Sequence, residues 1–104
     1  MYEDFLQERI TRLRTQKGVT ARDMSLSIGQ NASYINRIEN KKALPSMQVF
    51  FYICEYLGVT PHEFFDEGNT CPTKLKSLIH DMKRMDETAL TLIAGITKEI
   101  LGKK

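Results

Sequence analysis

Ser33, Tyr34, Asn36 and Arg37 bring a hydroxyl, a phenol, an amide and a guanidinium close together in the stretch NASYINRIE. Ile35 and Ile38, three positions apart, mark the inward side of a short helix and leave those polar groups facing out. Hydrogen bonding is the chemistry they offer. An α-helix fits the major groove of B-DNA, and side chains on its exposed face near the N-terminus reach base edges. Here those are Ala32, Ser33, Tyr34, Asn36 and Arg37. Arg37 can donate two hydrogen bonds to guanine O6 and N7, whereas Ser33 can bond several bases and so discriminates weakly. Ala32 and the Tyr34 ring can touch a thymine methyl; the other reading of Tyr34 is a ring packed over the domain's own surface.

Bond-making chemistry has no such cluster. The sequence shows no carboxylate pair, Ser/His/Asp set, Cys/His pair or phosphate-cradling glycine loop, so an enzyme is not expected. His62 and His80 stand alone, and Cys54 and Cys71 are too few and too widely spaced for a disulfide framework or a zinc site. No metal and no cofactor are expected.

The polar row is positioned by the stretch Thr20 to Asn40, which reads as two short helices joined by a tight turn. Thr20 is a good N-cap with Asp23 three residues on, and Val19 and Met24 fall at the positions of a hydrophobic staple. Met24 and Ile28 give the first helix an apolar side, and Ser25 is small enough for a second helix to approach closely. Gly29 suits a left-handed residue just past the helix end, and Asn31 can cap the next helix, expected over residues 32–39. The net charge of +2 says little, but its distribution says more. Arg9, Arg12, Arg14, Lys17 and Arg22 precede the first following acid, Asp23, and Arg37, Lys41 and Lys42 come later. Residues 1–66 hold eight basic and eight acidic side chains, so this region is neutral but polarised, as suits a phosphate backbone approached from one side.

Thr20, Met24, Ser25, Ile28, Gly29, Ile35, Ile38 and Glu39-Asn40 are followed by Pro45, Phe50, Ile53, Cys54, Leu57-Gly58-Val59 and Phe64-Phe65. In these residues the sequence resembles the phage repressor and Cro-like helix-turn-helix family, also called the xenobiotic-response-element type, over roughly residues 5–66. The resemblance implies an all-α fold: a five-helix lambda-repressor-like DNA-binding domain over 1–66, then a two-helix C-terminal tail over 67–104. It implies base reading by Ala32, Ser33 and Arg37. Phosphate contacts are expected from two flanking places, Thr20, Ala21 and Arg22 at a helix N-terminus, and Asn40, Lys41 and Lys42 after the recognition helix. The family often has glutamine where Ala21 stands, so Arg22 can take over that contact; it usually has glycine where Lys41 stands, so a positive φ would strain this lysine. The resemblance also implies a pair between Arg14 and Glu39 that neutralises the acid and locks the recognition helix to the first helix. Taken as exposed, such a pair contributes only about 0–1 kcal/mol, so its expected role is geometric.

The remaining elements read as structural. Residues 3–17 form a first helix with Leu6, Ile10 and Leu13 inward, Phe5 and Tyr2 widening the stripe, and Gly18 at its end. A fourth helix opens at Pro45-Ser46, with Met47, Phe50, Ile53, Cys54 and Leu57 on one face. Phe51, Tyr52 and Tyr56 broaden that face, so burial on two sides is expected. Thr60-Pro61-His62-Glu63 is a capping box with proline at N1, opening a short fifth helix that ends near Phe65. Asp66 to Pro72 reads as a hinge, Thr73 to Arg84 as a helix, and Asp86 as the cap of a last helix. On that last helix Leu92, Ile93, Ile96 and Ile100 continue a stripe from Ala89, with Leu90, Ala94 and Leu101 beside it. The first five helices are expected to spend their apolar faces on their own core, so the tail is expected to be a homodimer interface.

The reading is thus a sequence-specific, homodimeric transcriptional regulator of the repressor kind, with double-stranded DNA as partner. The alternative is an antitoxin or other protein-interaction module that uses the same fold, and the tail, to hold a protein partner. No run approaches the ~18 apolar residues of a membrane span, and MYEDFLQERI is not a signal peptide, so a reduced cytoplasmic setting is expected.

Overall fold

A computed structural model describes residues 1–102, and these form seven helices and no strand. They are α1 (Tyr2–Lys17), α2 (Ala21–Ser27), α3 (Tyr34–Glu39), α4 (Met47–Leu57), α5 (Pro61–Phe64), α6 (Pro72–Met82) and α7 (Glu87–Gly102). The fold is all-α. It divides into two compact units, Met1–Thr73 and Lys74–Lys104, so residues 67–73 go with the first unit rather than with the tail.

The expected caps set the helix ends. Gly18 takes φ 78° at the end of α1, where its N–H meets the carbonyls of Arg14 and Thr15. The Thr20 hydroxyl accepts from the Asp23 N–H at 3.0 Å, Ser46 does the same for Val49 at 3.2 Å, and Thr60 and Glu63 cap each other reciprocally. Periodicity then turns one side of each helix inward. Ile10, Met24, Ile35, Ile38, Ile53 and Phe64 are wholly buried, each such side chain contributing about 1.5–3 kcal/mol of burial. Phe64 stands edge-on to Phe50 at 5.1 Å.

Three expectations are corrected. First, α4 is buried on one side only: Phe50, Ile53, Cys54 and Leu57 face in, Tyr56 is half-buried, and Met47, Phe51 and Tyr52 are exposed. Second, Phe51 is 50% exposed and Phe65 is 45% exposed, so the first five helices do not spend all their apolar surface on their own core. Tyr2 is exposed as well. The reason is geometric: α1 and α5 pack on α4, and the face they leave carries Met47, Phe51 and Tyr52.

Third, the Asp66–Pro72 stretch is tied rather than hinge-like. Arg9, only 4% exposed, donates from Nε to the Phe64 carbonyl at 2.7 Å. From Nη2 it reaches the carbonyls of Glu63 at 2.9 Å, Asn69 at 2.7 Å and, at 3.4 Å, Asp66. Gln16 donates to the Thr70 carbonyl at 2.7 Å, and Pro72 is fully buried. Burial, partly offset by Asp66, holds the Arg9 guanidinium below its ordinary pKa.

In the second unit, Asp86 caps α7 by accepting from the Ala89 N–H at 2.9 Å. α6 is shorter at its end than the sequence suggested, closing at Met82. Met82, Ala89 and Ile93 are half-buried, while Leu92, Ile96 and Ile100 are 66%, 57% and 67% exposed. At 3.6 residues per turn, the apolar side chains from Leu92 round to Ala94 sweep about 200° of the α7 surface. Among the described residues no helix is long and apolar enough to cross a membrane.

Candidate nucleic-acid interface

The helix-turn-helix is built around a glycine turn and a buried serine. Gly29, at φ 78°, turns the chain after α2, and the Gln30 N–H closes back onto the Ser25 carbonyl at 2.9 Å. Ser25 is fully buried and does more than leave room. Its hydroxyl donates to the Ala21 carbonyl at 2.7 Å and accepts from the Ile35 N–H at 2.9 Å. It therefore satisfies an otherwise orphaned amide in the first turn of α3. The sequence marked Ser25 only as small; a lone serine on an apolar helix side was the available signal.

The recognition helix is shorter than expected, Tyr34–Glu39 rather than 32–39. Asn31 does not act as its simple N-cap: its Oδ1 accepts from both the N–H and the hydroxyl of Ser33, at 3.1 and 3.0 Å. The Tyr34 N–H also closes onto the Asn31 carbonyl at 3.1 Å, so Ala32 and Ser33 lie on a turn leading into α3. Ile35 and Ile38 are wholly buried beneath the helix, while Ser33, Asn36 and Arg37 are exposed. Tyr34 is half-buried against the core, in line with the packed-ring reading, and desolvation raises its phenol pKa. The Asn40 amide donates to Oδ1 of Asn36 at 2.9 Å.

Arg14 and Glu39 meet as a fork. Nε lies 2.6 Å from Oε2 and Nη2 lies 2.9 Å from Oε1, while Nη1 donates to the Val19 carbonyl at 2.9 Å. The side chains are 18% and 12% exposed, so this is a largely covered pair and not the exposed one expected. The hydrogen bond to Glu39 raises the Arg14 pKa, against the effect of burial.

Of the phosphate candidates, Arg22, Asn40 and Lys42 are exposed, Thr20 is exposed with its hydroxyl engaged by Asp23, and Ala21 is half-buried. Lys41 is corrected in part. It takes the positive φ of 63°, as the glycine preference suggested, but its ammonium is turned to Asp4 at 2.8 Å and Glu8 at 2.9 Å. That contact lowers the Asp4 pKa and raises that of Lys41. The basic face also loses Arg9, buried against carbonyls, and Lys17, whose ammonium sits 5.0 Å from the Tyr56 ring centre. Of that basic face, Arg12, Arg22, Arg37 and Lys42 remain exposed. The tail residues Leu92, Ile93, Ile96 and Ile100 belong to the second unit.

Among curated proteins and among solved structures, none matches this chain. A family model described as a helix-turn-helix domain matches residues 7–69. The match begins within α1 and runs past α5, over more than half of the chain. With the geometry of α2, its glycine turn and α3, that match carries the assignment: this chain belongs to the helix-turn-helix domain family.

Proposed function

We propose that this protein is a sequence-specific, double-stranded-DNA-binding transcriptional regulator of the phage repressor and Cro-like type, acting as a homodimer. One observation carries the reading. The two sides of α3 differ completely, with Ile35 and Ile38 sealed in the core and Ser33, Asn36 and Arg37 presented to solvent. A helix so mounted enters the major groove with Arg37 on guanine and Asn36 and Ser33 on neighbouring base edges. Ala32 reaches the groove at the start of the turn. Arg22, Lys42, Asn40 and the first N–H groups of α2 face phosphates, and the Arg14–Glu39 fork keeps the acid from repelling them. Repression needs nothing beyond occupancy of the DNA.

A helix-turn-helix protein gains affinity by presenting two copies about 34 Å apart. The wide apolar arc of α7 supports the tail as the element that joins them, since two-fold pairing buries Leu92, Ile96 and Ile100 on both copies. Selection of bound sequences from a random DNA pool tests the reading. The expected result is an inverted repeat with half-sites about one turn apart; no enriched sequence overturns it and favours a protein-interaction module. A chain ending at Thr73 is expected to sediment as a monomer and to lose most operator affinity. Dimerisation without the tail, or a monomeric full-length chain at micromolar concentration, removes the tail as the interface.

A further inference from the structure

We propose that Asn40 is a positioning residue that sets which base Asn36 reads, so that one phosphate contact and one base contact act as a single unit. This rests on the DNA-binding reading above. Asn36 and Asn40 lie one helical turn apart, both exposed, with Nδ2 of Asn40 2.9 Å from Oδ1 of Asn36. A free asparagine amide has a broad, roughly two-fold terminal torsion and presents its oxygen or its nitrogen with little preference. Such a group reads no base reliably. The bond from Asn40 removes that freedom. It occupies one lone pair of the Asn36 oxygen and leaves both hydrogens on Nδ2, together with the second lone pair. That donor and acceptor edge matches adenine, which offers N7 as acceptor and the N6 amino group as donor in the major groove.

Asn40 needs an anchor of its own, because the two amides can reverse together. A phosphate supplies one. Phosphate oxygens only accept, so a phosphate beside Asn40 and Lys42 takes the second N–H of the Asn40 amide and keeps its nitrogen in place. Every contact in the row phosphate, Asn40, Asn36, adenine then pairs a donor with an acceptor: Asn40 donates to the phosphate and to Asn36, and Asn36 donates to N7 and accepts from N6. A purely structural pair at this spacing would steady the helix slightly and leave base preference untouched.

The test is random-pool selection with the full-length chain and its Asn36→Ala, Asn40→Ala and Asn40→Asp variants. The natural chain is expected to select adenine at one position per half-site, and Asn36→Ala to erase that preference alone. Asn40→Ala is expected to lower the same preference by about tenfold, with the other positions intact. Asn40→Asp keeps a hydrogen bond between the two residues but reverses it, since a carboxylate only accepts. It is therefore expected to lose the adenine preference too, beyond any uniform loss of affinity from the added charge. Retained adenine preference in either Asn40 variant overturns the proposal, as does an Asn36→Ala profile identical to the natural one. A natural chain that enriches no sequence overturns the DNA-binding reading instead, and this proposal with it.

Discussion

Replacing Arg14 with alanine removes three hydrogen bonds at once, two to the Glu39 carboxylate and one to the Val19 carbonyl. The magnitude follows from what is left behind. Glu39 is 12% exposed, so its carboxylate would lose its guanidinium in a site that water reaches poorly. Exposed ion pairs contribute about 0–1 kcal/mol, and breaking a fully buried one costs about 3–5 kcal/mol. The geometry here lies between these cases, which gives an expected loss of about 2–3 kcal/mol. For a domain of this size that is a fall in Tm of roughly 10–20 °C. Urea unfolding followed by far-UV circular dichroism measures it, and the helix signal at room temperature should remain nearly intact. DNA affinity should also fall, because an unpaired acid then stands beside the phosphates. Adding Glu39→Gln should recover part of both losses, with a coupling of about 1–3 kcal/mol in the double-mutant cycle. Strict additivity, or a single-mutant loss below about 1 kcal/mol, would refute the reasoning.

Three further outcomes are expected. Arg37→Ala should weaken specific binding by about 1–3 kcal/mol and relax preference at one or two positions per half-site, whereas Lys42→Ala should weaken all sequences alike and flatten the salt dependence by about one unit of slope; titrations against operator and random DNA at several salt concentrations separate the two. Ser25→Ala should cost about 1–3 kcal/mol in chemical denaturation, because the buried Ile35 N–H loses its acceptor; a change below half that would show that the amide finds another partner. Burial pushes the Cys54 thiol up to about 11 from 9.0. The unfolded chain therefore releases that proton first, and stability is intact below pH 9 and falls as pH rises toward 11, by about 3 kcal/mol in all. Cys54→Val should remove that part of the alkaline slope, and an unchanged slope in urea melts would count against it.

The helices were legible because their signals are local. Thr20, Thr60 and Asp86 cap as read, Pro45-Ser46 opens α4 as read, and the spacing of Ile35 and Ile38 marks the inward side of α3. The pairing of Arg14 with Glu39 came through the family resemblance, although its depth did not. What stayed hidden depends on distant partners. Arg9 looks like one more basic residue until carbonyls at positions 63–69 come to meet it. Lys41 looks like a phosphate ligand until Asp4 and Glu8 arrive from α1. For α4, periodicity tells which side chains share a face, not how many neighbours will cover them, and so Met47 and Phe51 were placed inside. The start of α3 lies later because the chain first makes a tight turn, the Tyr34 N–H bonding the Asn31 carbonyl.

The Arg9 contacts make the loop after α5 a poor target for proteases. Residues 66–71 carry the glycine, asparagine and aspartate typical of a nicking site, yet their path is fixed by a guanidinium whose planar fork serves several carbonyls at once. Cleavage there has to wait until the Arg9 and Gln16 contacts let go, so its rate follows the opening of that tie. Lysine at position 9 keeps the charge but offers a single ammonium point, too short a bracket for carbonyls spread from Glu63 to Asn69. In such a chain the same bonds open more readily, and an endoprotease that cuts after glutamate would act at Glu67.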